Sequence, residues 1–179
     1  MLINAVLHSG IYTWIGLYLR RHYGLGEVGI GLAVLGYGLP GFAFGPAIGR
    51  LADRRGRARL IPLGLAVGGL SALVLIPKLP LVAVAVVLAV LSLGYDLKQP
   101  LLAGIVTTLS IKRGHAMGLN VFTLFVGFGT GSLIFGAMLS AGFSTALGTF
   151  GGLALLAALA ALPAFRKEGF LRPPRSQPA

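Results

Sequence analysis

Apolar residues run along this chain in six long stretches, at about 2–19, 27–49, 60–77, 81–109, 117–141 and 145–165, each ended by a short polar or turn-forming break. A helix needs about 20 largely apolar residues to cross the hydrocarbon layer of a bilayer, so each stretch predicts a spanning helix. The first and third lie close to the short limit. The breaks fall at Arg20–Gly26, Arg50–Arg59, Pro77–Pro80, Ser110–Ala116 and Ala141–Ser144. Residues 166–179, with Pro173, Pro174 and Pro178, read as a disordered cytoplasmic tail after a transmembrane domain of residues 1–165.

Polar side chains are shared unequally among the stretches. The third carries Ser71 after its start, and the sixth carries Thr145 and Thr149. The first carries Asn4, His8 and Tyr12 at a spacing of four, which puts them on one helix face. The fourth holds Asp96, Lys98 and Gln99, and the fifth holds Asn120, Thr123, Thr130 and Ser132. Lipid cannot satisfy such groups, so they belong in a bundle interior or a wet cavity. The first, fourth and fifth helices are therefore expected to line something wet, and the third and sixth to face lipid. Taken singly, the Ser, Thr and Asn side chains have a simpler role in joining helices by hydrogen bonds.

Asp96 asks for more than helix packing. It stands roughly 13 residues, or about 20 Å of helix, from the expected cytoplasmic end of its stretch, near mid-bilayer. An ionised carboxylate there costs about 2.5–3.5 kcal/mol on insertion scales, so it needs a partner, a cavity or a proton. Lys98 lies too deep for an easy snorkel. At i and i+2 the two are about 200° apart, which keeps them from pairing on a regular helix. Tyr12, at a similar depth in the first helix, is placed to meet Asp96 across a cavity. The rival reading is that Pro100 breaks the stretch, so that residues 81–97 cross and Asp96 and Lys98 lie near the membrane surface. The candidates for a solute or proton pathway are Asp96, Lys98, Tyr12, His8, Asn4 and Asn120.

Composition settles the solvent. Hydrophobic residues make up 56% of the chain and charged ones 11%, under half of what soluble domains carry. A net charge of +11 raises the question of nucleic acid. The basic residues, however, sit in short clusters between apolar runs with no aromatics among them, as in cytoplasmic loops, and no nucleic-acid partner is expected. A cytoplasmic N-terminus puts Arg50, Arg54, Arg55, Arg57, Arg59, Lys112, Arg113, Arg166, Lys167, Arg172 and Arg175 inside, against Arg20, Arg21 and Lys78 outside. The positive-inside rule thus predicts a multi-pass protein of the cytoplasmic membrane with both termini in the cytoplasm. The first helix taken alone disagrees, since its basic residues flank its outer end. That pattern suits a helix that follows an earlier cytoplasmic loop.

The chain has no cysteine, which removes disulfides and thiolate metal sites. No metal-ligand spacing such as H-E-x-x-H occurs, and no nucleophile stands with a base, so neither a cofactor nor an enzymatic activity is expected. Gly41, Gly45 and Gly49, and Gly127 with Gly131, have the spacing that lets helices approach closely. Pro40 and Pro46 should kink the second helix. Gly36-Tyr37-Gly38 followed by Phe44-Gly45 recurs as Gly127-Phe128-Gly129 followed by Phe135-Gly136, nearly half a chain later. The repeat maps the second helix onto the fifth, as a three-plus-three arrangement requires.

The most specific local pattern is Gly49-Arg50-Leu51-Ala52-Asp53-Arg54-Arg55-Gly56-Arg57. It predicts a tight cytoplasmic turn at Gly56 with one acid fixed among arginines. Here the sequence resembles the major facilitator superfamily, whose signature between the second and third helices of a half is G-x-x-x-D-R-x-G-R. Tyr37-Gly38-Leu39-Pro40-Gly41, Leu93-Gly94-Tyr95-Asp96 with Gln99-Pro100, and Arg113-Gly114-His115-Ala116-Met117-Gly118-Leu119 look like the C-terminal half of its drug–proton or sugar-efflux members. The resemblance implies an all-α membrane protein, a six-helix bundle that is half of a major facilitator fold with a 3+3 inverted repeat. The first, second, fourth and fifth helices would line the cavity. Gly49, Asp53, Arg54, Gly56 and Arg57 would form a cytoplasmic gating loop.

It implies also a secondary transporter, as a proton-coupled efflux antiporter, moving a small solute. Family members normally have twelve helices, so a second half is expected, as a second copy or a separate chain in the same bilayer. The rival reading is a truncated, non-transporting remnant or membrane assembly protein.

Overall fold

The computed structural model describes residues 1–55, 57–108 and 113–166, with the backbone alone at 53, 55, 57, 58, 108, 113, 165 and 166. Its elements are α1 (Leu2–Tyr23), α2 (Glu27–Arg55), α3 (Arg57–Val74), α4 (Leu81–Asp96), α5 (Gln99–Thr108), α6 (Arg113–Met138) and α7 (Phe143–Arg166). A single 3-10 turn, Leu139–Ala141, joins the last two. No strand occurs among the described residues. Five stretches are long and apolar enough to cross a membrane, α4 and α5 counting as one from Leu81 to Thr107, and α3 is a shorter apolar helix. This is an all-α membrane bundle.

Local chemistry explains the helix ends. α1 stops where Gly24 turns left-handed at φ 64° and returns its N–H to Arg20 O at 3.0 Å, a glycine cap. Arg20, Arg21 and His22 in the last turn suit the negative end of the helix dipole. α2 continues through Pro40 and Pro46 and on through the arginine-rich motif, whose Ala and Arg favour helix. The segment expected as a turn between residues 50 and 59 is therefore helical on both sides of Gly56, which itself lies outside the described residues.

The fourth stretch divides at Leu97–Lys98. There the Lys98 N–H bonds Tyr95 O at 3.1 Å instead of reaching back four residues, and Pro100 offers no N–H to Asp96 O. Helical bonding resumes with Leu102 N–H on Lys98 O at 2.9 Å.

Packing follows the small residues. The largest contacts are α1 on α6 and α3 on α7, then α2 on α4 and α3 on α4. Exchanging the first three spans with the last three carries the α1–α6 contact onto the contact between α2 and α4, and leaves α3–α7 in place. That is the symmetry of a 3+3 bundle. At the α3–α7 crossing, a Cβ on Gly69 would stand 2.9 Å from Gly151 O, and one on Gly151 would stand 3.0 Å from Gly69 O. At the α1–α6 crossing, Ser9 Oγ donates to Phe128 O at 2.8 Å and Trp14 Nε1 to Ser132 O at 3.0 Å.

One end of the bundle is closed by aromatic residues. Tyr18 donates to Leu75 O at 2.8 Å and Tyr23 to Leu79 O at 2.7 Å, above the buried rings of Phe135, Phe143 and Phe150. α2 and α6 bury least. Leu35 and Phe42 on α2, and Phe122, Phe125 and Leu133 on α6, are largely exposed, which in a bilayer means facing lipid or another protein. The third and sixth spans, expected as the lipid-facing pair, are α3 and α7, which pack against each other and leave Leu63, Leu70, Leu156 and Leu159 exposed.

A polar and aromatic junction inside the bundle

His8 stands at the meeting point of α1, α2, α4 and α6. Its ring stacks on Tyr95 at 3.7 Å between centroids, with Tyr12 at 5.7 Å and Phe128 at 5.9 Å. Nδ1 hydrogen-bonds the Tyr37 hydroxyl at 2.9 Å, and Tyr12 packs on the Tyr37 ring at 4.8 Å. Tyr37 and Phe128 are one of the two aromatic pairs matched in the internal sequence repeat, and they approach His8 from α2 and α6.

Asp96 ends α4 one turn beyond Ser92, whose hydroxyl donates to Oδ2 at 3.2 Å. The carboxylate lies over Gly41 of α2, where an added Cβ would come within 2.8 Å of Oδ2. Gly41 is thus more than a packing glycine, because it makes room for the acid. Gly41→Ala is expected to push the carboxylate aside and lower transport several-fold with little change in melting temperature. Gly45→Ala, which meets open space, should leave both unchanged. Flux into proteoliposomes and a thermal-shift series check the pair.

Lys98 is 5% exposed, and its Nζ donates to Gly94 O at 3.1 Å, the carbonyl that the helix break leaves without its usual N–H. The ammonium lies 5.4 Å from the centre of the Tyr95 ring, within range of a cation–π contact. Among the described residues no ion pair joins it to Asp96; Arg20 and Glu27, both exposed, pair at 3.7 Å. Asn4 is buried and donates through Nδ2 to Gln99 Oε1 at 2.7 Å, while its Oδ1 has no partner. A buried orphan of this kind costs about 1–3 kcal/mol.

Of the residues expected to line a pathway, Asn4, His8, Tyr12, Asp96 and Lys98 thus gather around this junction. Asn120 stands apart, donating to Met117 Sδ at 3.9 Å on its own helix, with Oδ1 unpartnered. Tyr12 meets His8 and Tyr37 in place of Asp96. Tyr37, Tyr95 and Gln99 belong to the junction too, although none is among the residues expected to line a pathway. The tyrosines are counted as apolar in a hydropathy reading, and Gln99 is one residue from the proline. Of the arginine-rich motif, Gly49 and Arg54 are exposed, while the side chains of Asp53 and Arg57, and all of Gly56, lie outside the described residues. Residues 167–179, the expected tail, lie outside them too. Among the described residues no three carboxylate or imidazole groups come together as a metal site.

Membrane-spanning helices around an ionisable and amide-bearing interior define a multi-pass membrane protein of the transport type, since such groups in a bilayer mark solute or ion pathways. The Major Facilitator Superfamily sequence model matches residues 1–179, and the chain belongs to that family. Members of this superfamily are transporters and not enzymes. No curated protein and no solved structure matches the chain.

Proposed function

We propose that the chain is one six-helix half, of C-terminal type, of a secondary transporter that moves a small solute by proton-coupled efflux. The observation that carries this reading is the junction itself. Asp96 sits at a helix break against Ser92 and Gly41, one residue after Tyr95, whose ring stacks on His8, inside a major facilitator chain. A discontinuous helix at mid-membrane is where transporters place solute and coupling-ion groups. Asp96 would release its proton to the aqueous path as the solute binds and take one up as the solute leaves, and His8, Tyr12 and Asn4 would contact the solute. Lys98 would hold the charge balance of the broken helix, and Asn120 would extend the path along α6.

Six helices leave one side of such a path open. The exposed faces of α2 and α6, with Leu35, Phe42, Phe125 and Leu133, are where a second six-helix unit would close it. That unit is a second copy or a separate chain. The orientation that fits the basic residues has both ends of the bundle's chain in the cytoplasm, with the motif at Gly49, Asp53, Arg54, Gly56 and Arg57 latching the two units on that side.

Light scattering of the detergent-purified particle, corrected for bound detergent, tests the pairing. Two chains, or one chain with a stoichiometric membrane partner, is the expected mass. A stable particle of one chain that moves no solute would overturn the reading and leave an assembly role.

A further inference from the structure

The outer face of the α3–α4 pair is not flat. Toward one end the two helices touch backbone to backbone, where a Cβ added to Gly64 would stand 2.7 Å from Gly94 O and one added to Gly94 would stand 2.8 Å from Gly68 N. α4 has no glycine before Gly94, so nothing of this kind draws it to α3 nearer the Pro77–Pro80 loop. There a groove of about 230 Å³ opens between Val67, Leu70, Ser71 and Val74 of α3 and Val87 and Val90 of α4. Leu70, Val74 and Val90 are 54%, 45% and 41% exposed, which puts the groove on the outside of the bundle, and neither His8 nor Asp96 is in its walls.

The groove is held open. Tyr18 bonds Leu75 O at 2.8 Å and Tyr23 bonds Leu79 O at 2.7 Å, so the end of α3 and the loop after it are pinned to α1. Pro77 and Pro80 stiffen that loop. The four valines are restricted at χ1 in a helix and cannot swing inward to fill the space.

The size and chemistry of the groove select its occupant. A partner helix, at about 10 Å across, is too broad to enter it. An apolar cavity of about 150 Å³ already holds a benzene ring, so this larger and nearly all-hydrocarbon groove takes a run of methylenes. Within a bilayer a lipid tail gains no hydrophobic free energy by moving from other tails to a groove. Retention therefore rests on close packing along the walls and on the headgroup. Lys78 supplies the headgroup contact. It is the sole charged residue between Arg59 and Asp96, it is exposed on the loop, and among the described residues it makes no ion pair. Val87 lies six residues into α4 from Leu81, or about 9 Å along the axis, so a tail in the groove brings its phosphate up to the loop.

We propose that the groove between α3 and α4 holds an acyl chain of one anionic phospholipid, whose phosphate is bound by Lys78, in the leaflet at the Tyr23 end of the bundle. A net negative headgroup is favoured because a cationic group beside the phosphate would meet the ammonium as a like charge.

Native mass spectrometry of the full chain released from detergent tests this. Titration with phosphatidylglycerol or phosphatidylcholine of the same acyl chains gives the dissociation constant of the first bound lipid. The parent chain is expected to hold phosphatidylglycerol several-fold more tightly. Lys78→Gln is expected to remove that preference and leave phosphatidylcholine unchanged. Val87→Trp, which fills the groove, is expected to weaken both lipids several-fold. Val82→Trp, on the same helix but 77% exposed and outside the groove, should weaken neither. Val90→Trp replaces Val87→Trp if the latter does not purify, and Lys78→Gln, on an exposed loop, reports in either case. Equal affinity of the parent for the two lipids, a preference that survives Lys78→Gln, or groove and control tryptophans with the same effect would each overturn the proposal. No solute is needed, so the result stands apart from whether the chain transports.

Discussion

Asp96→Asn is expected to abolish coupled solute movement, by at least about tenfold in flux, while the bundle folds and melts as before. Tenfold corresponds to roughly 1.4 kcal/mol, well within what one mid-membrane charge is worth, since its insertion cost alone is about 2.5–3.5 kcal/mol. The substitution keeps the shape of the side chain. The new amide can still accept from Ser92 through its oxygen, at the position where Oδ2 lies 3.2 Å from the hydroxyl. It still fits over Gly41, where the tolerance is fractions of an ångström. What it removes is the negative charge and the ability to bind and release a proton. Stability should hold or rise, because a neutral amide is cheaper to keep in a bilayer than a carboxylate. Flux driven by a pH gradient in proteoliposomes is the measurement, with helical circular dichroism and a melting curve as controls. A mutant that folds and retains full coupled flux would remove Asp96 from the mechanism. Asp96→Glu sharpens the test, because it keeps the charge but drives a longer side chain toward Gly41, so partial flux is expected.

The sequence carries the fold class more plainly than the site. Hydropathy is the direct imprint of the bilayer, so an all-α bundle of apolar helices can be read from residue order alone. The Asp96 region is legible for the same reason, because charge inside an apolar run stands out whether the run crosses whole or breaks at Pro100. The bounds of the helices around the arginine motif are less so. Charged residues signal the edge of the membrane and not the end of a helix, and α2 keeps its hydrogen bonding to Arg55. Pro100 presents two readings, one continuous span or a break. The structure combines them, since the helix does break at Leu97–Lys98 and α5 nonetheless continues as an apolar segment to Thr108. Tyr37 and Tyr95 cannot be singled out until the helices are packed, because a phenol in an apolar run looks like any core aromatic. Only the approach of α2 and α4 to His8 makes them partners. Gln99 is visible as a polar residue, but its partner Asn4 is most of a chain away, and no spacing rule connects them.

The helix that carries Asp96 packs on α3 as well as on α2, and the closeness of α4 to α3 rests on glycine. An added Cβ at Gly94 would stand 2.8 Å from Gly68 N and 3.0 Å from Gly64 O, and one at Gly64 would stand 2.7 Å from Gly94 O. Here the obstacles are backbone atoms, which cannot step aside as a side-chain tip does. Gly94→Ala is therefore expected to destabilise the bundle by about 1–3 kcal/mol, the range for overpacking a filled interior. Gly94→Leu should prevent folding. Gly68→Ala is the matched control. Gly68 shares the crossing, yet its own Cβ direction meets nothing within 4 Å, so the change removes only a flexible residue from a helix and should be neutral or slightly stabilising. Melting temperatures of purified Gly94→Ala and Gly68→Ala beside the parent chain decide between the alternatives. Melting temperatures lowered by neither Gly94→Ala nor Gly68→Ala would mean that the helices can part at little cost, and that the Asp96–Gly41 contact is set by something other than this crossing. A large loss at Gly94 alone would fix α4 against α3 as the tightly packed wall of the junction.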